Sequence, residues 1–435
     1  MRRIIFTAFI VYLISGCSFG AGDDYSPGDQ KTLEVELGQV VSDPHSKLQS
    51  GSLPELAQRR SVAEEELTKI IPASAFKSFS AHRGSINSID ASNDSLVSYT
   101  GGEDGKVLRH KLVRDGAGAS SLSSELIYQS TEPIFAVQIN PDNRLLAVAQ
   151  TGLVFVIDTE KHRVIHKLDR ANGRIHSLAW DPTGKLLAIG RSNGEVLVWR
   201  VKNGKRAGKD NDEAVETYRG LRSPVIAIAF HPNARVFFAA HRDGAIYLWR
   251  LIRTELEMGI RDEDALRDLN NRGRRNLLTT GFNARLEDIW MRDDGKFLLV
   301  AAVDGRILKL KVRGLVLSEL SKAGSDMVSS VRTIFLDRDK LSARESSAAG
   351  VAAAAYRDRQ LRFWCLDSLD KHLVAASPPL ADAAEKLAVS GVGAYLWAGQ
   401  KSGNLLAFDA DFLLKSPNLS REFQGCSRLV LNEAG

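Results

Sequence analysis

The sequence predicts an all-β fold in which seven similar antiparallel sheets form the blades of a β-propeller. Three observations support this. A turn residue followed by glycine recurs along the chain, an aliphatic residue always follows it at a fixed distance, and paired apolar residues precede it. Short strands and tight turns repeating at such a period are typical of propellers, because one sheet cannot bury both of its faces alone.

The turns mark the repeats. Six pair a turn residue with glycine, and in the seventh the glycine is replaced. They are Asp104-Gly105, Thr151-Gly152, Asn193-Gly194, Asp243-Gly244, Asp304-Gly305, Asp358-Arg359 and Ser402-Gly403. Neighbouring turn residues lie 42 to 61 residues apart, which fits a period of about 40–45 residues lengthened by insertions. Asp-Gly and Asn-Gly favour the tight turns of hairpins.

The strands around each turn also repeat. Three residues after the turn residue lie Val107, Val154, Val196, Ile246, Ile307, Leu361 and Leu405. Six after it lie His110, Ile157, Trp199, Trp249, Leu310, Trp364 and Phe408. The inner strands before the turn carry Ile86/Ile89, Ile134/Val137, Ile175/Leu178, Val225/Ile228, Leu286/Ile289, Val331/Ile334 and Leu387/Val389. Such alternation suits sheets that stack on both faces.

These motifs resemble the WD40-repeat family over roughly Ser74 to Ala410. Trp199-Arg200, Trp249-Arg250 and Trp364-Cys365 stand where that family has Trp-Asp, and Ala81-His82 stands where it has Gly-His. The resemblance implies a hydrogen-bonded network joining His82 to Asp104 in the first blade. Most other blades lack the histidine, so the full network is not expected in them.

The resemblance also implies how the ring closes. In the family the outer strand of the last blade often comes from the N-terminal side, and Phe76–Phe79 fits that strand beside Leu405–Phe408. The alternative is closure by Arg428–Leu431 of the C-terminal tail. The predicted propeller therefore spans residues 74–410, and residues 411–435 form the tail.

The N-terminus has the pattern of an export signal. Arg2 and Arg3 precede an apolar run, Ile4–Ile14, and small residues lead to Cys17. As a helix this run spans about 16 Å, too short for a bilayer core of about 30 Å. Ile14-Ser15-Gly16-Cys17 resembles the lipobox of bacterial lipoproteins. The alternative is an ordinary secretory signal with an incidental cysteine.

The lipobox resemblance implies a lipid-anchored protein. Residues 1–16 would be removed as the signal peptide, and Cys17 would carry the lipid, palmitate included. Ser18 after the cysteine favours the outer membrane of the bacterial cell envelope, facing the periplasm. More than one acyl chain gives stable membrane attachment.

Two segments separate this anchor from the propeller. Residues 17–52 are rich in Gly, Ser, Asp and Pro and are predicted to form a flexible tether. Residues 53–73 are predicted to contain a short helix. Ser61 and Glu64 fit a capping box, Leu67, Ile70 and Ile71 form an apolar stripe, and Pro72 ends the helix. The helix either packs on the propeller or binds a partner.

Composition and motifs exclude several kinds of function. With 58 Lys+Arg against 53 Asp+Glu, the net charge of +5 is too small to predict nucleic-acid binding. Catalytic motifs and a phosphate-binding loop are lacking, and no cofactor is predicted. The three cysteines lack the spacing of a metal site. In an oxidising compartment Cys365 and Cys426 either form a disulfide or stay separate thiols.

Basic residues cluster at one predicted end of the blades. Some lie just before inner strands and others at the glycine turns: Arg83, Arg174, Arg191, Arg222, Arg242, Arg285, Arg357, Arg359 and Lys401. They predict a basic ring that attracts partners with acidic surfaces. Alternatively they are solvated loop charges, partly neutralised by nearby acids: Glu103, Asp104, Asp243, Asp304 and Asp358. The longest insertion, Ile252–Asn276, is either a functional segment or a lengthened loop without a function of its own.

The predicted function is therefore a non-catalytic platform for protein–protein interactions, a scaffold or adaptor anchored by lipid to the bacterial envelope. One alternative is a subunit of an envelope assembly or secretion complex. Another is a propeller enzyme, which would need carboxylates or histidines converging in the central channel.

Overall fold

Seven antiparallel sheets follow one another along the described part of the chain. The computed structural model describes residues 69–93, 96–114, 120–169, 173–201, 215–219, 222–234, 236–251, 275–279, 284–312, 315–321, 326–335, 350–366, 373–390, 395–410 and 412–413. All belong to the unit Glu64–Gly435. The predicted signal peptide and tether, residues 1–52, lie outside the described residues, as does most of the tail.

The strands occupy four positions in each sheet, from the centre outwards. The inner strands are β3 (Ile86–Ala91), β7 (Ala136–Ile139), β11 (Ile175–Trp180), β15 (Val225–Phe230), β19 (Leu286–Met291), β23 (Val328–Phe335) and β27 (Ala384–Val389). The second strands are β4 (Val97–Gly102), β8 (Leu145–Gln150), β12 (Leu186–Arg191), β16 (Val236–His241), β20 (Phe297–Ala302), β24 (Gly350–Tyr356) and β28 (Tyr395–Gln400). Each inner strand contacts the next, and β27 contacts β3, so the ring closes around a central channel.

Third and outer strands complete the blades. The third strands are β5 (Lys106–Arg114), β9 (Leu153–Asp158), β13 (Glu195–Arg200), β17 (Ala245–Arg250), β21 (Ile307–Lys311), β25 (Leu361–Cys365) and β29 (Asn404–Asp409). The outer strands are β2 (Phe76–Ser80), β6 (Ser120–Gln129), β10 (Arg163–Leu168), β14 (Val215–Arg219), β18 (Arg275–Thr279), β22 (Val316–Glu319) and β26 (Leu373–Ala376). The predicted seven-bladed all-β propeller is confirmed.

The core lies between neighbouring blades. Ala188 and Val198 of the third blade, for example, pack with Phe237 and Tyr247 of the fourth, and all four are buried. The second strands are buried on both faces, so they consist almost wholly of apolar and small residues. Each blade depends on the next to cover its faces, as the repeat pattern predicted.

The ring closes as the sequence indicates. Strand β2 pairs antiparallel with β29, Phe76 opposite Phe408 and Phe79 opposite Leu405. The rings of Phe76 and Phe408 stack with their centroids 4.8 Å apart. An N-terminal segment therefore supplies the outer strand of blade seven. Arg428–Leu431, the alternative, lies outside the described residues.

The predicted helix is wrong at its C-terminal end. Lys69–Ile70 forms strand β1, which pairs parallel with β26 and adds a fifth strand to blade six. Ile71 is fully buried while Ile70 is 58% exposed. This is the alternation of extended chain rather than a shared helical face. A single-turn 3₁₀ helix, Ala73–Ala75, follows, and residues 53–68 lie outside the described residues.

The predicted inner-strand register is wrong in blades six and seven. Val328 faces Tyr356 across the sheet, as Ile86 faces Gly102 in blade one. The repeating pair in blade six is therefore Val328/Val331, not Val331/Ile334. By the same comparison blade seven carries Ala384/Leu387, not Leu387/Val389. The small Ala384 and the polar residues that follow Val328 hide the apolar pattern in these two blades.

The tight turns are confirmed, including the one without glycine. The glycine of each of the six predicted turns has a positive φ, from 68° at Gly152 to 102° at Gly244. Arg359 takes the same left-handed conformation with a φ of 69°, which side chains rarely adopt. Among the described residues, no helix is long and apolar enough to span a membrane.

Candidate binding face at the channel mouth

The loops into the inner strands lie at the same end of the blades as the turns between second and third strands. Backbone hydrogen bonds join the two in Ser192 N to Arg174 O, Arg242 N to Pro224 O, Val303 N to Arg285 O, and Arg357 N to Met327 O, at 2.8 to 3.0 Å. We call this end the upper face. The lower face carries the turns between inner and second strands.

All nine predicted basic residues lie in upper-face segments, but they differ in exposure. Seven are exposed: Arg83, Arg174, Arg222, Arg285, Arg357, Arg359 and Lys401. Arg242 is half-buried. Arg191 is buried, and its guanidinium pairs with the Glu195 carboxylate at 2.5 Å. The charge of Arg191 is therefore neutralised within blade three, and its role in partner binding stays a prediction.

Two of the acids expected to neutralise the ring are paired with other cations. Their partners, Arg306 for Asp304 and Arg362 for Asp358, are not members of the predicted ring. Asp104 instead lies beside His82 and accepts a hydrogen bond from the backbone N–H of Arg83 at 3.1 Å, so its carboxylate stays next to the ring.

A cavity of about 160 Å³ opens where the channel meets the upper face, and we call it the mouth cavity. Its wall includes Arg174, Arg242 and Lys386, together with Glu287 and His176. The Arg174 guanidinium lies 4.4 Å from the centre of the Phe135 ring, which also lines the cavity. This cation–π contact fixes Arg174 at the wall.

The electrostatics of the mouth cavity are dominated by its cations. Burial, followed by the charges of Arg242, Arg174 and Lys386, lowers the pKa of His176 to about 4. His176 is therefore neutral at pH 7. The Nε of Arg242 is buried and has no hydrogen-bond partner in the described structure. A buried donor without an acceptor is costly, and such groups are rare unless a ligand or water satisfies them.

Deeper in the channel, opposite charges are paired. Arg332 Nη1 lies 2.6 Å from Asp288 Oδ2, to which Ser330 also donates at 2.6 Å. Burial opposes ionisation of Asp288, but Arg332, Lys386 and these hydrogen bonds outweigh it and lower its pKa. Asp288 and Arg332 both line a second cavity of about 250 Å³ that adjoins the mouth.

A second acid, Asp90, is held by blade two. Its Oδ2 accepts hydrogen bonds from Gln138 Nε2 at 2.7 Å and from Ile139 N at 2.8 Å. Burial raises the pKa of Asp90 to about 7 despite these bonds. Asp90 and Asp288 are thus each engaged by neighbouring strands. Among the described residues, no three His, Cys, Asp or Glu side chains are grouped to hold a metal.

Blade one contains the predicted network and extends it. His82 Nδ1 lies 2.8 Å from Asp104 Oδ1, and His82 Nε2 lies 2.7 Å from Thr100 Oγ1. Thr100 Oγ1 lies 2.8 Å from His110 Nε2, and His110 Nδ1 lies 2.8 Å from Ser124 Oγ. We call these five residues the blade-one chain. His110 stands at the tryptophan position of the repeat, so here a polar ring continues the chain.

The protonation of the blade-one chain is fixed by burial. Burial lowers the pKa of His110 to about 3. Burial also lowers the pKa of His82, because its effect exceeds the opposite effect of the Asp104 carboxylate. Both rings are therefore neutral at pH 7. Gly102 makes room for the chain, because a Cβ there would lie 2.3 Å from His82 Nδ1.

Cys365 ends β25 and is 3% exposed. It is disulfide-bonded. The other two cysteines, Cys17 and Cys426, both lie outside the described residues, so the pairing of Cys365 with Cys426 stays a prediction.

Sequence reasoning missed the channel-facing residues of the site. Glu287, Arg332 and Lys386 lie on the inner strands β19, β23 and β27. Glu287 directly follows Leu286, so its position was a usable signal in blade five. Arg332 and Lys386 lie four and two residues after Val328 and Ala384, so no common offset marks them.

Two family patterns match the sequence. The WD domain, G-beta repeat, matches residues 74–108 and 213–250. The WD40 domain of anaphase-promoting complex subunit 4 matches residues 137–215. Both lie inside the propeller.

Several curated proteins are similar over part of the chain. Periodic tryptophan protein 2 homolog of Dictyostelium discoideum is 24% identical over 231 residues, 52% of this chain and 22% of the relative. Transducin beta-like protein 3 of Bos taurus is 30% identical over 32% of this chain and 16% of the relative. Protein LST8 homolog of Drosophila melanogaster is 23% identical over 35% and 47%. The matches thus span less than half of each relative.

Proposed function

We propose that this chain, which belongs to the WD40-repeat propeller family, is a non-catalytic platform that binds other proteins through its upper face. The seven exposed cations of that face carry the proposal, because they favour partners with acidic surfaces. Rigid blades hold these residues on short turns and loops, the usual place for binding residues on a β scaffold.

The similar proteins support a role in assemblies. One matching pattern is named for a subunit of the anaphase-promoting complex, and a 24% identical relative from Saccharomyces cerevisiae is named a COMPASS component. The alternative is that the chain is a permanent subunit of an envelope assembly or secretion complex. The two proposals differ mainly in how long the contacts with other proteins last.

The platform is proposed to sit at the bacterial envelope, held to the outer membrane by lipid on Cys17. The lipobox-like sequence Ile14–Cys17 supports this anchor. Acylation occupies the Cys17 thiol, which leaves Cys426 as the partner for the disulfide-bonded Cys365. That bond would tie the C-terminal tail to blade six in an oxidising compartment.

Site-specific photo-cross-linking in native cells tests the binding face. A photoreactive residue is placed in the full chain at Arg222 or at Arg285, both exposed on the upper face. Matched controls carry it at Lys185 or Lys296, exposed in lower-face turns. We expect discrete cross-linked partner bands from the upper positions only. Bands only from the lower positions, or none from any position, would overturn the proposal.

The anchor is tested separately by metabolic labelling with palmitate. Wild-type chain should take up label and fractionate with the outer membrane, and Cys17→Ser should lose both. A Ser18→Ala variant is the matched control and should keep the label. Unchanged labelling of Cys17→Ser would refute the anchor and leave the binding face untouched.

A further inference from the structure

The cations of the mouth cavity come from three different blades. Arg174 precedes β11, Arg242 follows β16, and Lys386 lies on β27. Because the ring brings blades three, four and seven around one channel, residues far apart in sequence line the same cavity. Glu287 is the one carboxylate in its described lining, so three cationic side chains face a single acidic one.

These charges are poorly satisfied within the protein. Among the described residues, neither Lys386 nor Arg242 has an ion-pair partner within 4.0 Å, and the buried Nε of Arg242 lacks an acceptor. The neighbouring Arg332 shows the contrast, since the Asp288 carboxylate meets it directly. His176 is neutral at pH 7, because burial and the charges of Arg242, Arg174 and Lys386 lower its pKa to about 4, and it adds no further positive charge.

We propose that the mouth cavity is a binding site for one oxyanion group, a carboxylate or a phosphate, held by Arg174, Arg242 and Lys386. The guanidinium groups supply paired donors that match the geometry of such oxygens, and the ammonium adds a point charge. The cavity, at about 160 Å³, holds roughly five water volumes of about 30 Å³, enough for the head of a side chain or a phosphate.

A few apolar side chains also line the cavity. Phe135 lies against the Arg174 guanidinium, and Ile226 lines the cavity in blade four. The rest of the described lining is mostly polar or charged, so the attraction for an anion comes from the cations themselves. The inference rests on the proposed function only for the natural ligand, which would be an acidic group presented by the partner.

Free anions test the site without any partner. The full chain is labelled with ¹³C-histidine, and the His176 Cε1 signal is assigned by its absence in His176→Gln. Inorganic phosphate, sodium acetate and sodium chloride are titrated in turn at equal ionic strength and pH 7. We expect a saturable shift with phosphate or acetate but not with chloride. The responding anion identifies the group as phosphate or carboxylate.

Three variants separate a built site from general surface attraction. Arg242→Gln should weaken binding by on the order of ten-fold, the loss of charge-assisted hydrogen bonds. Glu287→Gln should tighten binding several-fold, because it removes the opposing charge, and a damaged fold cannot imitate that gain. Lys185→Gln removes an exposed cation of a lower-face turn, outside the cavity, and should change affinity less than two-fold.

The inference is overturned if His176 shows no saturable response to either anion, or if Lys185→Gln and Arg242→Gln weaken binding equally. Neither result would affect the cross-linking of partners to the upper face. Conversely, anion binding at the mouth without any upper-face cross-link would support this site and reject the platform.

Discussion

The blade-one chain and the mouth cavity both gather polar side chains, yet their groups are satisfied to very different degrees. In blade one, Asp104, His82, Thr100, His110 and Ser124 bond in succession at 2.7 to 2.8 Å. At the mouth, three cations share one carboxylate, and a buried guanidinium nitrogen has no acceptor. We expect the first region to stabilise the fold, and the second is the proposed binding site.

Hydrogen-bond satisfaction therefore separates polar groups that stabilise the propeller from polar groups that are available to a ligand. Satisfied buried groups should be costly to remove, since each deletion leaves a partner without its hydrogen bond. Substitution of an unsatisfied group should change the free energy of unfolding little, but it should weaken ligand binding. Asp288 and Arg332, just below the mouth, belong to the satisfied class.

The largest loss of stability is expected from Arg332→Met. It leaves the buried Asp288 carboxylate without its cation, which costs about 3–5 kcal/mol of unfolding free energy. Urea unfolding followed by tryptophan fluorescence measures it. The double variant Asp288→Leu/Arg332→Met removes both charges and should recover most of the loss. A single variant as stable as wild type would show that the pair is not formed.

The next largest effect is expected from Thr100→Val in the blade-one chain. Loss of the hydroxyl leaves one ring nitrogen on each of His82 and His110 without a partner, at a cost of about 2–4 kcal/mol. Thr100→Ser keeps the hydroxyl and is the control, expected to cost about 1 kcal/mol or less. Equal losses in the two variants would mean that packing, not the hydrogen bonds, matters at this position.

Acid should weaken the fold through the same chain. The pKa of His110 falls from 6.5 to about 3 on folding. The unfolded chain therefore takes up its proton first as pH falls below 6.5. Stability decreases toward pH 3 by up to about 1.4 kcal/mol per pH unit for this residue. Unfolding at pH 7, 6, 5 and 4 measures the slope. His110→Gln should flatten it, and parallel slopes would contradict the account.

The smallest change in stability is expected at the mouth itself. Arg242→Gln removes a cation from among like charges, so the unfolding free energy should stay within about 0.5 kcal/mol of wild type. Arg306→Gln is the control, because Arg306 pairs with Asp304 and Glu319, and its loss should cost about 1–3 kcal/mol. A larger loss for Arg242→Gln than for Arg306→Gln would remove the distinction between the two regions.

The sequence predicted the blade count, the closing strand and the His82–Asp104 contact, because each leaves a local pattern at a fixed offset. It failed where the pattern was weak. Ala384 is too small to mark an inner strand, and Lys69–Ile70 is too short to show alternation. The mouth cavity depends on which blades face each other across the channel. The spacing of residues in the sequence therefore could not predict that Arg174 and Lys386 line the same cavity.

We propose that the upper-face cations capture the partner, and a comparison of two triple variants tests this. Full-length chain carrying Arg174→Glu, Arg242→Glu and Arg285→Glu is compared with chain carrying Arg144→Glu, Lys185→Glu and Lys296→Glu, exposed lower-face residues with the same charge change. Partners captured from native cells are quantified for each. We expect partner capture to fall at least about ten-fold in the upper triple variant and to be retained by the lower triple variant. Full capture by the upper triple would contradict it.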